Sequence, residues 1–170
     1  MADDVAAMPY VDLQKSGDTS DARARASYLK SGFVSEITPA LVDDMVEGFE
    51  PSSDRLTFLG FQQGGGLINQ VDTSATAFVQ RDSVANLLHA VDWASDQDGS
   101  THVDWIKNAW TSLEPHTQGF YVNDGDPDDY DGANFVNRSY GENYSQLVEI
   151  KNRYDPRNLF RLNANVLPSV

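Results

Sequence analysis

Three stretches of the chain carry side chains at the spacing of an amphipathic helix: residues 38–50, 100–114 and 140–154. The first begins at Thr38-Pro39, where threonine suits the N-cap and proline suits the first helical position. Each stretch is followed by a proline, which cannot continue a helix. The residues at helical spacing are Leu41, Val42, Met45, Val46 and Phe49; then Val103, Ile106, Trp110 and Leu113; and finally Tyr144, Leu147, Val148 and Lys151.

Short apolar runs bounded by turn residues predict strands. Runs this short, without a helix after each one, favour an antiparallel sheet over β-α-β units. The sequence therefore predicts an α+β fold, a single domain over residues 1–170 in which helices flank an antiparallel β-sheet. Residues 1–20 are expected to be irregular, and the tail after Asp155-Pro156 is expected to be extended. The predicted strands are residues 27–34, 55–62, 67–71, 75–80, 84–93 and 119–123.

The chain is strongly acidic, and its charge excludes two classes of partner. Twelve basic residues against 26 acidic ones give a net charge of −14. A phosphate backbone attracts the opposite sign, so no nucleic-acid partner is expected. An anionic membrane surface repels the chain, and no apolar run approaches the roughly 18 residues that cross a bilayer. The absence of cysteine excludes disulfides and thiolate metal sites.

The type of charged residue adds an expectation about location. Aspartate outnumbers glutamate 20 to 6, and only 4 of the 12 basic residues are lysine. Short carboxylates on a lysine-poor surface keep a protein soluble where salt screens repulsion. The N-terminus is acidic and lacks the apolar region of a signal peptide. These features predict a halophilic, cytoplasmic protein of a salt-accumulating organism; an ordinary acidic protein is the alternative.

Three features invite a cofactor or metal interpretation, and their surroundings argue against it. The glycines at residues 64–66 precede a strand-like run, whereas a phosphate-binding loop precedes a helix. Asp124, Asp126 and Asp128 follow the spacing of a calcium loop, but the glycine and glutamate that such a loop requires are missing. The three histidines are too far apart in the sequence for metal-ligand spacing. No resident metal is expected.

Tyrosines and asparagines are concentrated in the last third of the chain. An aromatic ring with a polar edge suits a pocket that holds a flat aromatic ligand. Hydrogen bonds within the core are the alternative interpretation. The residues are Tyr121, Tyr140, Tyr144 and Tyr154 with Asn123 and Asn143.

The C-terminal run carries a long motif: YGENY at residues 140–144, YDPRNLFR at residues 154–161, and an asparagine-rich tail that ends at Pro168. This run resembles the C-terminal segment of berberine bridge enzyme-like FAD-linked oxidoreductases, which belong to the vanillyl-alcohol oxidase type of flavoprotein. Shorter motifs fall in the family's order over nearly the whole chain. They are MPY at 8–10, KSGF at 30–33, GGG at 64–66, ATAF at 75–78 with Arg81, and YVN at 121–123.

The resemblance implies a division of the chain. Residues 1–135 are expected to be the sheet and helices of the substrate (cap) domain, which covers the flavin in this family. Residues 136–170 are expected to be the C-terminal segment that folds back onto the FAD-binding domain. That domain has no counterpart in this sequence. FAD is therefore the expected cofactor, but together with an FAD-binding domain or subunit as partner, and this chain alone is not expected to bind it.

The resemblance also implies positions for the site residues. Tyr121 and Gln70 are expected at the catalytic centre, with Tyr121 near the flavin ring and Gln70 facing the substrate. Asn123, Tyr140 and Asn143 are expected to bind the cofactor, and the last two also to seat the C-terminal segment. Each of these could instead be a buried hydrogen bond that holds strand to helix.

The sequence departs from the family at the places where relatives carry a base. Asp124 stands where many relatives have a tyrosine, Gln70 where a glutamate occurs, and Gln80 where a histidine occurs. Glutamine accepts no proton at working pH, and a solvated aspartate is a weak base. The departures put independent catalysis by this chain in doubt.

The function implied is hydride transfer from a substrate C–H to flavin and then to dioxygen, by an assembly that includes an FAD-binding domain in cis or in trans. A small-molecule substrate of undetermined identity is expected, and a homo-oligomer is a further partner left open. The alternatives are a non-catalytic binding or self-association module and a truncated, inactive remnant.

Overall fold

The structure is a computed structural model that describes residues 6–15, 25–49, 55–125 and 132–169. The mixture of helices with one antiparallel sheet confirms the predicted α+β class. The helices are α1 (Tyr10–Lys15), α2 (Pro39–Gly48), α3 (Ser100–Leu113), α4 (Gly132–Tyr140) and α5 (Tyr144–Tyr154), and the strands are β1 (Arg25–Val34), β2 (Leu56–Gln63) and β3 (Ala85–Ala94). Short 3-10 turns cover Gly66–Gln70, Glu114–His116 and Gly141–Asn143.

Strand β3 is the centre of the sheet, whose order is β1-β3-β2 with both pairs antiparallel. Val91 lies opposite Tyr28 on β1 and opposite Thr57 on β2. Directly opposed residues share a face, and side chains alternate between the two faces along each strand. The register therefore divides the sheet residues into a helix-facing set and a set on the other face, here called the open face.

The helices cover the helix-facing side of the sheet. Helix α3 packs on β1 and β3, and α2 packs on α3. Thr38 caps α2 as predicted, since its side-chain oxygen accepts a hydrogen bond of 3.1 Å from the Leu41 backbone N–H. Both predicted helices are present, and the stripe predicted for α3 is largely buried, whereas in α2 Leu41 is buried and Val42, Val46 and Phe49 are exposed. The buried residues of this layer are Val34, Leu41, Ala85, Leu87, Trp110 and Leu113 in one cluster and Val91, Trp93 and Ile106 in a second.

A third apolar cluster lies in the C-terminal part of the chain. Phe120, Phe135 and Val136 are buried there, and the Phe120 and Phe135 rings lie 5.0 Å apart. The division proposed from the sequence, between residues 135 and 136, falls inside α4 and within this cluster. Partly buried side chains packed around the cluster are Val122, Tyr140, Tyr144, Ala164 and Val166.

Two predicted strands between β2 and β3 are wrong. Residues 67–71 lie mostly in the 3-10 turn Gly66–Gln70, and residues 75–80 are turns and irregular backbone. Gly65 and Gly66 have φ of 93° and 60°, which turns the chain out of the sheet at little steric cost. Side chains described below bind backbone carbonyls of this segment, so the segment needs no strand partner.

The predicted strand over residues 119–123 is also wrong. A single bridge joins Gln118 to Phe33. Gly119 then adopts φ of 57° and the chain enters a turn, so the pairing stops after one residue. The acidic run at residues 126–131, including the calcium-like spacing, lies outside the described residues.

The third predicted helix is broken and the chain ends differ from expectation. Gly141 has φ of 51°, so α5 begins after it, and the unpredicted α4 precedes it. The short helix α1 lies in a region expected to be irregular. The tail is not uniformly extended, because Asn158 and Asn163 adopt φ of 52° and 59°. Asparagine tolerates this left-handed conformation better than most residues do. No helix within the described ranges is both long and apolar enough to cross a bilayer.

His89 is fully buried in the helix-facing layer. Its ring makes an edge contact with Trp105, with the ring centres 5.2 Å apart. Neither ring nitrogen has a hydrogen-bond partner among the described residues. Burial disfavours the charged form and lowers the pKa of His89 to about 4.

We expect the folding stability to depend on pH through His89. In the unfolded chain this histidine takes up a proton near pH 6.5, whereas the folded chain resists it down to about pH 4. The contribution is complete above pH 6.5 and is lost as the pH falls towards 4, by about 2 kcal/mol at pH 5. Urea unfolding at pH 7.5 and pH 5 measures it. His89→Leu should lack the part of the stability loss between pH 7.5 and pH 5 that His89 causes, and His116→Gln should keep that part. An equal loss of stability in wild type and His89→Leu would contradict the attribution to His89.

Candidate functional site

Two neighbouring cavities, of about 270 and 360 Å³, lie at one end of the open face. Phe33, Phe78 and Tyr121 line both of them. In the described part of the chain no lysine or arginine lines either cavity. The first is also lined by Ala77, Gln80, Phe120, Val122, Asn123, Ser139 and Tyr140, and the second by Gln62, Gln63, Gly64, Ile68, Ser83, Ala85 and Asn86.

The sheet supplies the floor of this site. Asn86 on β3 lies opposite Phe33 on β1 and Gln62 on β2, so these three side chains share the open face. The Phe33 ring contacts the edge of Phe78, with the ring centres 5.4 Å apart. Asn86 is buried, and its amide nitrogen lies 3.2 Å from an Asp124 carboxylate oxygen. Its amide oxygen is buried and has no hydrogen-bond partner among the described residues.

The loop between β2 and β3 supplies one wall, and Arg81 organises it. The guanidinium donates to the Ile68 carbonyl at 3.1 Å and to the Thr76 hydroxyl at 2.7 Å. It also lies over the Phe78 ring, 4.8 Å from the ring centre. Asn69 donates to the Ser83 carbonyl at 3.0 Å, which joins the start of the loop to its end. These contacts hold Phe78 against the sheet.

Tyrosines from two segments form the opposite wall. Tyr121 lies in the turn after the bridge at Gln118, and its hydroxyl accepts a hydrogen bond of 3.1 Å from the Asn123 amide. Tyr140 ends α4 beside it. Burial, with a smaller effect of Tyr121, raises the pKa of Tyr140. Tyr140 therefore keeps its proton at neutral pH and can serve as a hydrogen-bond donor.

Asn143 connects the C-terminal segment to the loop wall. Its side chain is buried, and the amide nitrogen donates to the Thr73 carbonyl at 2.6 Å and to the Thr76 carbonyl at 3.0 Å. It lies two residues after Gly141, whose left-handed backbone separates α4 from α5. This contact joins the turn Gly141–Asn143 to the loop that forms the wall of the site.

The structure brings together three of the five residues singled out from the sequence. Tyr121, Asn123 and Tyr140 line the first cavity. Asn143 lines neither cavity and acts through the loop. Gln70 is exposed at the end of its 3-10 turn and also lines neither cavity. No contact in the structure tests the roles predicted for these residues, so those roles stay predictions.

Sequence reasoning missed the contribution of the sheet. Phe33, Gln62 and Asn86 belong to strands that were predicted, but their common face follows from the register, which the single sequence does not specify. The motif containing Phe78 and Arg81 was noted, but as a strand. In the described ranges, no group of three histidine, aspartate or glutamate side chains is placed to hold a metal ion.

The YDP motif of the tail has a structural role in this fold. The buried Asp155 carboxylate accepts hydrogen bonds from Lys151, at 2.5 Å, and from the backbone N–H groups of Leu159 and Phe160. The bond from Lys151, aided by the two backbone bonds, lowers the pKa of Asp155. Lys151 also donates to the Phe160 carbonyl at 2.6 Å. The motif therefore fixes the turn that begins the tail.

The C-terminal part matches a known family. Residues 120–167 match the sequence profile of the berberine and berberine like family. Over a longer range the chain is 25% identical to an FAD-linked oxidoreductase of Dictyostelium discoideum, in an alignment of 166 residues that covers 96% of this chain and 36% of the relative. It is 35% identical over 104 residues to the uncharacterized FAD-linked oxidoreductase YgaK of Bacillus subtilis, covering 61% of this chain and 22% of that protein.

The chain is similar to FAD-linked oxidoreductases, and its C-terminal part is similar to the berberine and berberine like family. Solved structures agree in fold. The crystal structure of aclacinomycin oxidoreductase gives a TM-score of 0.73 at 23% identity, covering 84% of this chain and 32% of that one. A carbohydrate oxidase from Microdochium nivale gives 0.73 at 24% identity, covering 86% and 33%. The chain thus spans between 22% and 36% of the length of these proteins.

The residues of the site fit one part of FAD, the cofactor of the family. Flat aromatic side chains and amide groups, such as Tyr121, Phe78 and Asn123, suit the isoalloxazine ring and its polar edge. The pyrophosphate normally requires a helix N-terminus, a glycine-rich loop or basic side chains. Within the described residues neither cavity is lined by a basic side chain, and Gly64 of the glycine run at residues 64–66 is the one such group, at the second cavity. The lining therefore fits the ring better than it fits the pyrophosphate.

We expect Asn143→Ala to destabilise the fold by about 1–3 kcal/mol, because two backbone carbonyls at the loop wall lose a buried donor. Urea unfolding measures the change. Asn108→Ala, at an exposed position of α3, is the control and should change stability by less than about 0.5 kcal/mol. An Asn143→Ala protein as stable as the control would show that the amide contact contributes nothing.

Proposed function

We propose that the chain is the substrate-domain part of an FAD-dependent oxidoreductase and works together with an FAD-binding unit, in the same polypeptide or in a separate one. The observation that carries the proposal is the relationship to FAD-linked oxidoreductases over 96% of the chain. The cavities of the open face support it, since their aromatic and amide lining suits a flavin ring and a small substrate, and no basic side chain among the described residues lines them for a phosphate.

The surface of the tail supports the need for a second unit. Leu159, Phe160 and Leu162 are 69%, 83% and 85% exposed. They follow directly on the turn that Asp155 and Lys151 fix, so the turn presents them outward together. Contiguous apolar side chains at this exposure are typical of a surface that another protein part covers. In our proposal the FAD-binding unit covers them.

The chain's own residues give the proposed reaction its geometry and its proton path. FAD, when bound, accepts hydride from a substrate C–H and passes the electrons on to dioxygen. Asn86, bound to Asp124, forms a fixed polar floor beneath the substrate. The Tyr121 hydroxyl, held by Asn123, takes a proton from a substrate hydroxyl or amine as it releases its own to solvent, to which Tyr121 is 42% exposed. The neutral Tyr140 donates a hydrogen bond, and the aromatic walls exclude water.

A chimera tests the proposal. The 166 matched residues of the Dictyostelium relative are replaced by this chain. We expect the isolated chain to purify without colour and the chimera to retain FAD, read from its visible absorption. A folded chimera that holds no flavin would contradict the proposal and favour a non-catalytic binding module. Stoichiometric FAD binding by the isolated chain would contradict the need for a second unit.

We expect Tyr121→Phe in the flavin-containing chimera to lower the rate of flavin reduction by substrate by about 10²-fold, because a positioned acid–base group is lost. Stopped-flow absorption with an oxidisable sugar or alcohol measures the rate. FAD content should stay unchanged. Tyr10→Phe, at an exposed position of α1, is the matched control and should reduce at the wild-type rate. A Tyr121→Phe rate equal to that of the control would remove Tyr121 from the proton path.

A further inference from the structure

Asp124, at one of the positions where the sequence departs from the family, is bound to the sheet. The amide nitrogen of the buried Asn86 on β3 donates to an Asp124 carboxylate oxygen at 3.2 Å. A carboxylate only accepts hydrogen bonds, so this contact also determines which end of the amide faces Asp124. Asp124 lines neither of the two cavities of the site. Its carboxylate therefore contacts the floor of the site and not the space that a ligand would fill.

The same residue closes the turn that carries Tyr121. The Asp124 backbone N–H donates to the Tyr121 carbonyl at 2.9 Å, so residues 121–124 form one turn. Two side chains of this turn, Tyr121 and Asn123, line the first cavity and are joined by a hydrogen bond of 3.1 Å. A movement of the turn would therefore move both side chains together.

Contacts on both sides of Tyr121 hold this turn in place. Before it, the buried Ser139 hydroxyl donates to the Phe120 carbonyl at 3.1 Å, which binds the chain to α4. At its end, Asp124 binds Asn86 on β3, the strand that is paired on both sides. The Tyr121 side chain between these contacts is 42% exposed, so packing covers only part of it. The position of the Tyr121 hydroxyl therefore depends on the contacts that hold the turn.

Two roles for the Asp124 carboxylate make different demands on its chemistry. A base must lie within about 2.6–3.2 Å of the group whose proton it removes, and it must be able to take up that proton. A positioning group needs only an oxygen that accepts the Asn86 hydrogen bond. Asparagine at position 124 would keep such an oxygen and lose the capacity to take up a proton. Because Asp124 lines neither cavity, the structure favours the positioning role.

We propose that Asp124 is a positioning residue: through its hydrogen bond with Asn86 it holds Tyr121 at the first cavity, and it takes no proton from the substrate. The inference rests on the proposed function, in which the Tyr121 hydroxyl takes that proton. It names the contact that places this hydroxyl, and it assigns the carboxylate of the turn to the sheet.

Substitutions at position 124 of the flavin-containing chimera separate the two roles. We expect Asp124→Asn to reduce flavin within about threefold of the wild-type rate between about pH 6 and pH 9, since its amide oxygen still accepts the Asn86 hydrogen bond. Asp124→Ala should lower the rate by about 10- to 10²-fold, because the Tyr121 hydroxyl is displaced. Asp104→Asn and Asp104→Ala, at an exposed position of α3, are the matched controls and should keep the wild-type rate. A loss of about 10²- to 10⁴-fold in Asp124→Asn would make Asp124 the base and overturn the inference.

A double-mutant cycle tests whether Asp124 acts through Asn86. If it does, Asn86→Ala combined with Asp124→Ala should reduce flavin about as slowly as either single variant, because the second substitution removes a bond that is already lost. Losses that multiply would show that the two residues act independently, which contradicts the inference. FAD content and urea unfolding show that each variant compared holds flavin and is folded.

Hydrogen exchange in the isolated chain tests the contact without flavin. We expect the Asp124 backbone N–H to exchange about fivefold faster in Asn86→Ala than in wild type, since the turn loses its bond to β3. Asn108→Ala, at an exposed position of α3, should leave this exchange unchanged. Equal exchange in Asn86→Ala and wild type overturns the inference whether or not the chimera binds FAD. A folded chimera without FAD fails the proposed function, and the exchange result still decides whether Asn86 holds the turn.

Discussion

The alternation of side chains along β3 is the constraint on which the rest of the structure depends. Because β3 is paired on both sides, every second residue is committed to the helix layer, where Leu87, His89 and Val91 are fully buried. The intervening residues, Asn86 among them, must then lie on the open face. A shift of one residue in the register would exchange the two sets and place polar groups beneath α3. The core of the helix layer therefore also fixes the floor of the candidate site.

The walls of the site depend on a different kind of interaction. The segment between β2 and β3 is held by side chains that bind backbone carbonyls, namely Arg81, Asn69 and Asn143. Asn143 belongs to the C-terminal segment, so the wall that carries Phe78 and the wall that carries Tyr140 are joined through one amide. This connection explains why a motif far from the loop in sequence bears on the shape of the cavities. It also gives Asn143 an effect on the site although it lines neither cavity.

The parts of the fold that were predicted from the sequence are those in which local pattern and tertiary packing agree. Thr38-Pro39 determined the start of α2, and the apolar stripe of α3 matched its buried face. The strand predicted at residues 75–80 is wrong although its apolar pattern resembles that of the true strands. Side chains, and not a neighbouring strand, bind the backbone carbonyls of this segment. The strand predicted at residues 119–123 is wrong because Gly119 ends the pairing after one bridge. Helix α4 lacks an apolar stripe long enough to be recognised, and its position depends on the cluster around Phe120 and Phe135.

For the candidate site, the motifs located one wall and the register supplied the rest. Tyr121, Asn123 and Tyr140 could be selected because the family motif contains them, whereas Asn86 and Gln62 became visible only when the strands were paired. Gln70 was selected because of its position in the family motif, but it lies in the 3-10 turn that follows Gly65 and Gly66, and its side chain is exposed to solvent. A residue selected by family resemblance can take part in a site only if the local backbone places its side chain there. The second unit that we propose is therefore also the element that decides whether Gln70 faces a substrate.

Apolar side chains of this acidic chain remain uncovered at several places within the described residues, among them Leu159 and Phe160 of the tail, Val42 and Val46 of α2, and Leu56 and Phe58 of β2. Binding a partner to such surfaces stabilises the folded state by mass action, because the partner binds the folded chain and not the unfolded one. Docking and folding are then linked, and the surfaces that are costly to expose are those that specify the partner. In the assembly that we propose, this linkage reaches the cavities, since Asn143 of the C-terminal segment binds the loop that borders them.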